Sequence, residues 1–179
     1  SDNPRLASVP DDATVRVSPR FRRQPAVFIL LWLFSYAIMS AGEPLGEIRV
    51  LVVDDDESMA SLTAAFLARQ RDSFDVLTAS SAEDALETLD GASVDCVVSD
   101  YEMPETDGIE LLRAVRDRQP GLPFVLFTGR GSEEIASEAI SAGVTDYLQK
   151  GTGEDRYALL ANRLENAVRQ RRAEQTATE

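Results

Sequence analysis

The chain has 179 residues, 44% hydrophobic and 27% charged, enough for one well-buried domain with appendages and too few for two full-sized domains. Thirty-one acids against 18 bases leave a net charge of −13, with no histidine and one cysteine. Those absences exclude a Ser-His-Asp or Cys-His catalytic set, a His-bearing metal site, a phosphohistidine of the chain's own, an internal disulfide and a multi-cysteine zinc site.

Residues 1–25 mix Pro, Asp, Ser and Arg without periodicity, which predicts disorder. The apolar run AVFILLWLFSYAIMSA follows at 26–41, behind Arg20, Arg22 and Arg23. At about 1.5 Å per residue it spans roughly 24 Å, short of a hydrocarbon core of roughly 30 Å. Three readings fit it: a signal or short anchor, a docked helix, or an extension that precedes a natural start at Met39. An anchor would send everything after residue 41 outside the cell, against the chemistry below, so no membrane role is expected. Residues 1–47 hold five acids and five bases, whereas 48–179 hold 26 acids and 13 bases. Direct nucleic-acid binding by that second part is therefore disfavoured. Seventeen bases are Arg and one is Lys150. This composition resembles soluble proteins of salt-loving microbes, archaea among them, whose surface repulsion is screened by salt; an acidic interaction surface is the other reading.

From Ile48 onward, apolar runs alternate with helical patterns, the sequence form of an α/β domain with a parallel sheet. The expected strands are IRVLVVD (48–54), FDVLTAS (74–80), VDCVVSD (94–100), LPFVLFT (122–128) and TDYLQK (145–150), rich in the residues that fill strands buried on both faces. Cys96 lies inside such a run and reads as a buried thiol. Ser80 with Glu83, and Thr152 with Asp155, are expected capping boxes. In the last helix Tyr157, Leu160, Ala161, Leu164, Ala167 and Val168 share one face, which predicts an amphipathic cover.

The candidate chemistry sits at strand ends. Asp54-Asp55-Asp56-Glu57 closes the first run, Asp100 the third, Thr128 the fourth and Lys150 the fifth. In an open parallel sheet these ends form one edge, where ligands bind. Singly, each has an ordinary explanation: acids complementing a helix dipole, a turn cap, a strand-end hydroxyl, a surface charge. Together they bring carboxylates, a hydroxyl and the chain's one ammonium to one place.

The pieces VLVVDDDESM, VVSDYEMPETDGIELL, LPFVLFTGR and AGVTDYLQK, in this order and spacing, resemble the receiver domain of two-component response regulators. The resemblance implies a doubly wound, flavodoxin-like sheet of order 2-1-3-4-5 with helices on both faces, over residues 48–172, with 1–47 as an extension and 173–179 as a tail. It implies Asp100 as phosphoacceptor, and a Mg²⁺ ion held by Asp54, Asp55, Asp100 and the backbone carbonyl of Glu102. Thr128 and Lys150 would bond phosphoryl oxygens, with Thr128 and Tyr147 as the switch pair and Glu102 and Arg130 rimming the opening. Three carboxylates at about 4 Å repel by roughly 4 kcal/mol per pair at an effective dielectric of about 20, a strain that a hard, oxygen-seeking cation relieves.

The implied donor is a phosphohistidine on a sensor kinase or phosphotransfer protein in the cytoplasm. The few residues after the last helix suggest output by protein contact, through the fourth helix, fifth strand and fifth helix. Gly151 departs from the family pattern, in which many members have a proline after a cis bond, and leaves the path of that loop open. Two other classes stay in view: a Mg²⁺-dependent phosphohydrolase using Asp54-x-Asp56, and a receiver-like adaptor that needs no phosphorylation.

Overall fold

The computed structural model describes residues 29–35 and 45–178. The disorder expected over 1–25 and most of the apolar run 26–41, Met39 included, lie outside the described residues. Residues 29–35 are helical, with Ile29, Leu30, Leu31, Trp32, Leu33 and Phe34 exposed. Among the described residues no helix is long and apolar enough to cross a membrane.

The second unit begins at Leu45 and alternates strand and helix: β1 (Ile48–Val53), α1 (Glu57–Gln70), β2 (Phe74–Ala79), α2 (Ala82–Gly91), β3 (Cys96–Ser99), α3 (Gly108–Arg118), β4 (Phe124–Thr128), α4 (Glu133–Ser141), β5 (Asp146–Gln149) and α5 (Glu154–Ala177). The strands pair in parallel in the order β2-β1-β3-β4-β5, as expected. Alternation along each strand feeds two cores. Val50, Val52, Val98 and Phe127 pack with Leu67 of α1 and with Leu160 and Leu164 of α5. Leu51, Val53, Val97 and Leu126 pack with Leu89 of α2, Leu112 of α3 and Ala139 of α4. Burying each such side chain contributes about 1.5–3 kcal/mol. Cys96 is buried, and that burial pushes its thiol well up.

The last helix uses the expected face: Tyr157, Leu160, Ala161, Leu164 and Val168 are buried and Ala167 is half-buried. Tyr157 stacks on Phe66 of α1, ring centroids 4.4 Å apart. Both expected capping boxes are corrected. α2 is capped by Ser81, whose hydroxyl accepts from the Asp84 N–H at 3.1 Å, while the Asp84 carboxylate accepts from the Ser80 N–H at 3.0 Å. α5 starts from Gly153, with no side-chain cap. A capping box does open α3, where Asp107 and Glu110 satisfy each other's backbone N–H. No described peptide bond is cis, so the chain passes from Lys150 to Gly151 through an ordinary trans bond.

Candidate functional site

The site rests on one extra rung past three of the strands. Asp54 follows β1 and donates its backbone N–H to Ala79 O, the last residue of β2, at 3.1 Å. Asp100 follows β3 and donates to Val53 O at 2.9 Å, and Lys150 follows β5 and donates to Thr128 O at 2.8 Å. Each residue is held by the end of a neighbouring strand, so sheet register sets their spacing.

Carboxylate oxygens of Asp54, Asp55 and Asp100 all lie within 4.8 Å of one another. Lys150 Nζ stands 2.8 Å from Asp54 Oδ2 and 3.5 Å from Asp100 Oδ2. Asp54 Oδ1 accepts from the Asp56 N–H at 3.0 Å, and Asp100 Oδ1 from the Tyr101 N–H at 2.8 Å. Burial lifts the Asp100 carboxyl above the usual carboxylate range; Lys150 opposes the rise, Asp54 adds to it, and the Tyr101 N–H and Thr128 also pull it down. Burial disfavours the Lys150 ammonium, but Asp54 and Asp100 outweigh it and the lysine is raised. Three convergent carboxylates, one of them exposed, are a donor set that suits a divalent cation.

Asp56 and Glu57 stand apart from this cluster. Asp56 is the N-cap of α1, its Oδ1 accepting from the N–H groups of Ser58 at 2.9 Å and Met59 at 3.2 Å, and Glu57 opens the helix. Asp56 borders the same cleft, but its Oδ1 caps the helix and its carboxylate is not one of the three that converge, which does not favour an Asp54-x-Asp56 phosphohydrolase pair.

Thr128 is buried, and its hydroxyl accepts from the Arg130 N–H at 3.3 Å. The Arg130 side chain reaches Glu102 at 3.4 Å, both chains being largely exposed. Tyr147 is half-buried on β5, and its hydroxyl is buried with no hydrogen-bond partner among the described residues. Gly131 leaves room for it, since a Cβ there would stand 2.5 Å from that oxygen.

Residues not singled out from the sequence complete the site. The cleft over the carboxylates, ≈580 Å³, is walled by Met59, Met103 and Pro104. Ser99 Oγ donates to the Asp100 carbonyl oxygen at 2.8 Å. Gly108 packs so close that a Cβ would fall 2.2 Å from that carbonyl oxygen and 2.9 Å from Leu126 Cδ1. The sequence signal for it was the Asp107-Gly108 pair inside VVSDYEMPETDGIELL.

Comparison with known proteins agrees with this geometry. The family model described as the response regulator receiver domain matches residues 50–162. The transcriptional regulatory protein FixJ of Bradyrhizobium diazoefficiens is 37% identical over 122 residues, covering 68% of this chain and 57% of that protein. ZraR of Salmonella typhimurium is 37% identical over 123 residues, covering 69% of this chain and 27% of ZraR. The chain thus spans little more than half of one curated relative and about a quarter of the other. Among solved structures, a response regulator receiver domain protein from Clostridium thermocellum superposes with a TM-score of 0.62 at 27% identity, covering 70% of this chain and 98% of that one. A structure titled FixJ-N gives 0.61 at 29% identity, covering 70% and 96%. A match that runs from within β1 to beyond β5, with the acid cluster at the strand ends, shows that the chain belongs to the response regulator receiver domain family.

Proposed function

We propose that Asp100 accepts a phosphoryl group from the phosphohistidine of a sensor kinase or phosphotransfer protein, and that this controls contacts with a downstream protein. The observation that carries this reading is the Asp100 carboxylate set among Asp54, Asp55 and Lys150 at one sheet edge. An Asp100 oxygen attacks phosphorus as the P–N bond of the donor breaks and imidazole leaves. Lys150 and the Thr128 hydroxyl receive charge on the phosphoryl oxygens. Asp54, Asp55, Asp100 and the carbonyl of Glu102 would hold Mg²⁺, which when bound neutralises charge on the transferring group. Uptake of phosphate from acetyl phosphate tests the reading: Mg²⁺-dependent incorporation is expected, and none in its presence removes it.

Asp55 is the exposed member of the triad and the one without a lysine contact. Asp55→Ala should weaken Mg²⁺ binding by about tenfold or more, read by titration; an unchanged affinity would take Asp55 out of the ligand set. The Glu102–Arg130 pair spans the rim on the path of an attacking water. An exposed pair is worth only about 0–1 kcal/mol, so Arg130→Ala should speed loss of the phosphoryl group by up to about fivefold at low salt. The difference shrinks as salt screens the pair, and equal rates at low salt would show that the pair does not gate water.

We take 48–172 as the receiver unit, 1–47 as an extension, of which 45–47 packs with the unit, and 173–179 as a tail that continues α5 to Ala177, working in the cytoplasm where a kinase supplies its phosphate. The switch is assigned to Thr128 and Tyr147, supported by the buried, unpartnered hydroxyl of Tyr147. Output is assigned to the face of α4, β5 and α5, where Ile140 is 70% exposed. The acid-rich, lysine-poor composition supports a working environment of concentrated salt. The melting temperature should then rise from dilute to molar KCl, and a fall would overturn that assignment.

A further inference from the structure

We propose that the sheet end opposite the Asp100 cluster carries a second binding site, a seat for an oxyanion, phosphate or carboxylate, built on Arg171 and Arg116. At about 1.5 Å per residue, α5 carries Arg171 roughly 25 Å from its start at Glu154. There it meets the segments that lead into β3, β4 and β5.

The two clefts at this end are lined by Arg116, Arg171 and Arg172 against Asp95 and Glu174, and Asp95 is taken up by Arg172 at 3.3 Å. Nine of the twelve described arginines pair with a carboxylate. Arg171 is half-buried, yet among the described residues its side chain has neither ion pair nor hydrogen bond. Arg116 also lacks an acid. Its guanidinium donates to Leu122 O at 2.6 Å, Gly143 O at 2.8 Å and Thr145 Oγ1 at 3.4 Å. Gly143 holds φ at 89°, a left-handed turn that suits glycine.

Burial and the charge of Arg171 both push Arg116 below its ordinary value, so two cations repel here, and among the described residues neither is in an ion pair. Glu174 lies on the same cleft, but its Oε1 accepts from Gln170 Nε2 at 3.1 Å, and it makes no ion pair with Arg171. In a domain with twice as many acids as bases, this is the place where an anion is wanted rather than repelled.

The space matches. Arg171 stands between two clefts of ≈240 Å³ each. One offers Ser93, Gln119 and Gln175 as further donors, and the other is floored by Gly121, over which the guanidinium lies. A planar guanidinium grips phosphate or carboxylate oxygens in pairs. The net charge of −13 repels a nucleic-acid backbone, which leaves a small phosphorylated ligand or an acidic protein side chain as the source.

The test is a titration of the full chain, followed by amide NMR in metal-free buffer at low, constant ionic strength. One arm uses inorganic phosphate and the other a capped tetraglutamate peptide. Saturable shifts at Ser93, Gly121 and Arg171 are expected, weakened about tenfold or more in Arg171→Gln. That variant breaks no ion pair or side-chain hydrogen bond among the described residues, and its spectrum verifies the fold. Tighter phosphate binding assigns a small phosphorylated ligand, and tighter peptide binding an acidic protein segment. Unmoved amides in both arms, shifts confined to the Asp100 end, or an equal response in Arg171→Gln would overturn the proposal.

Discussion

Asp100→Asn should take up no phosphoryl group from acetyl phosphate and Mg²⁺ under conditions that label the parent, as read by intact mass. Asn keeps the shape and can still accept from the Tyr101 N–H, but its amide is no nucleophile toward phosphorus. Retained labelling that maps to Asp54 or Asp55 would move the phosphoacceptor. The same variant should melt at a higher temperature than the parent near neutral pH without metal. Burial, with Asp54 beside it, raises the Asp100 carboxyl above its ordinary value despite Lys150. Between the ordinary and the raised value the folded state therefore binds more protons than the unfolded one, and stability falls as pH rises through that window. Asn removes this penalty, so the gap is full above the window and closes as the pH falls through it. A variant that melts lower at neutral pH would show that the Lys150 contact outweighs the burial cost.

Gly108→Ala should cost about 3 kcal/mol in denaturant unfolding and lower phosphoryl uptake as well. The added methyl would meet the backbone oxygen of Asp100 at 2.2 Å and Leu126 Cδ1 at 2.9 Å; the first is backbone and the second is the end of a fully buried side chain. Relief requires the turn before α3 to shift, and the turn carries the phosphoacceptor with it. A variant with parental stability and uptake would mean that the turn gives more easily than its packing implies.

Most of the fold was legible because the three central strands are buried on both faces. A run such as CVVS or FVLFT leaves few alternatives to a central strand, and the alternation with helical segments then dictates a parallel sheet. Ligand-bearing strand ends were legible for the same reason, since Asp54, Asp100 and Lys150 each stand one residue past the end of a strand. Helix starts were less so. Ser80 and Ser81 are equally good caps in isolation; β2 pairing ends at Ala79, and the carboxylate of Asp84 reaches back to the Ser80 N–H, which leaves Ser81 as the cap. Four adjacent acids at 54–57 likewise do not announce which point into the cleft. Only the start of α1, with Asp56 bonded to Ser58 and Met59, separates the cap from the cluster. The closeness of Gly108 to Asp100 depends on how the turn packs against β4, a relation between distant parts of the chain that no local pattern encodes.

Asp54, Asp100 and Lys150 each hang from the final carbonyl of an adjacent strand, and this has a consequence for how the site comes into being during folding. None of the three is positioned by its own segment alone; β2 must be in place for Asp54, β1 for Asp100 and β4 for Lys150. The contacts that build the site are the long-range ones, which form late and together because their loop-closure cost is met only when the neighbouring strands arrive. A chain lacking β5 would retain all three carboxylates yet lose the ammonium set between Asp54 and Asp100. Competence for the chemistry is thus tied to completion of the sheet, and a partly folded molecule carries the acids without the geometry that makes them a site.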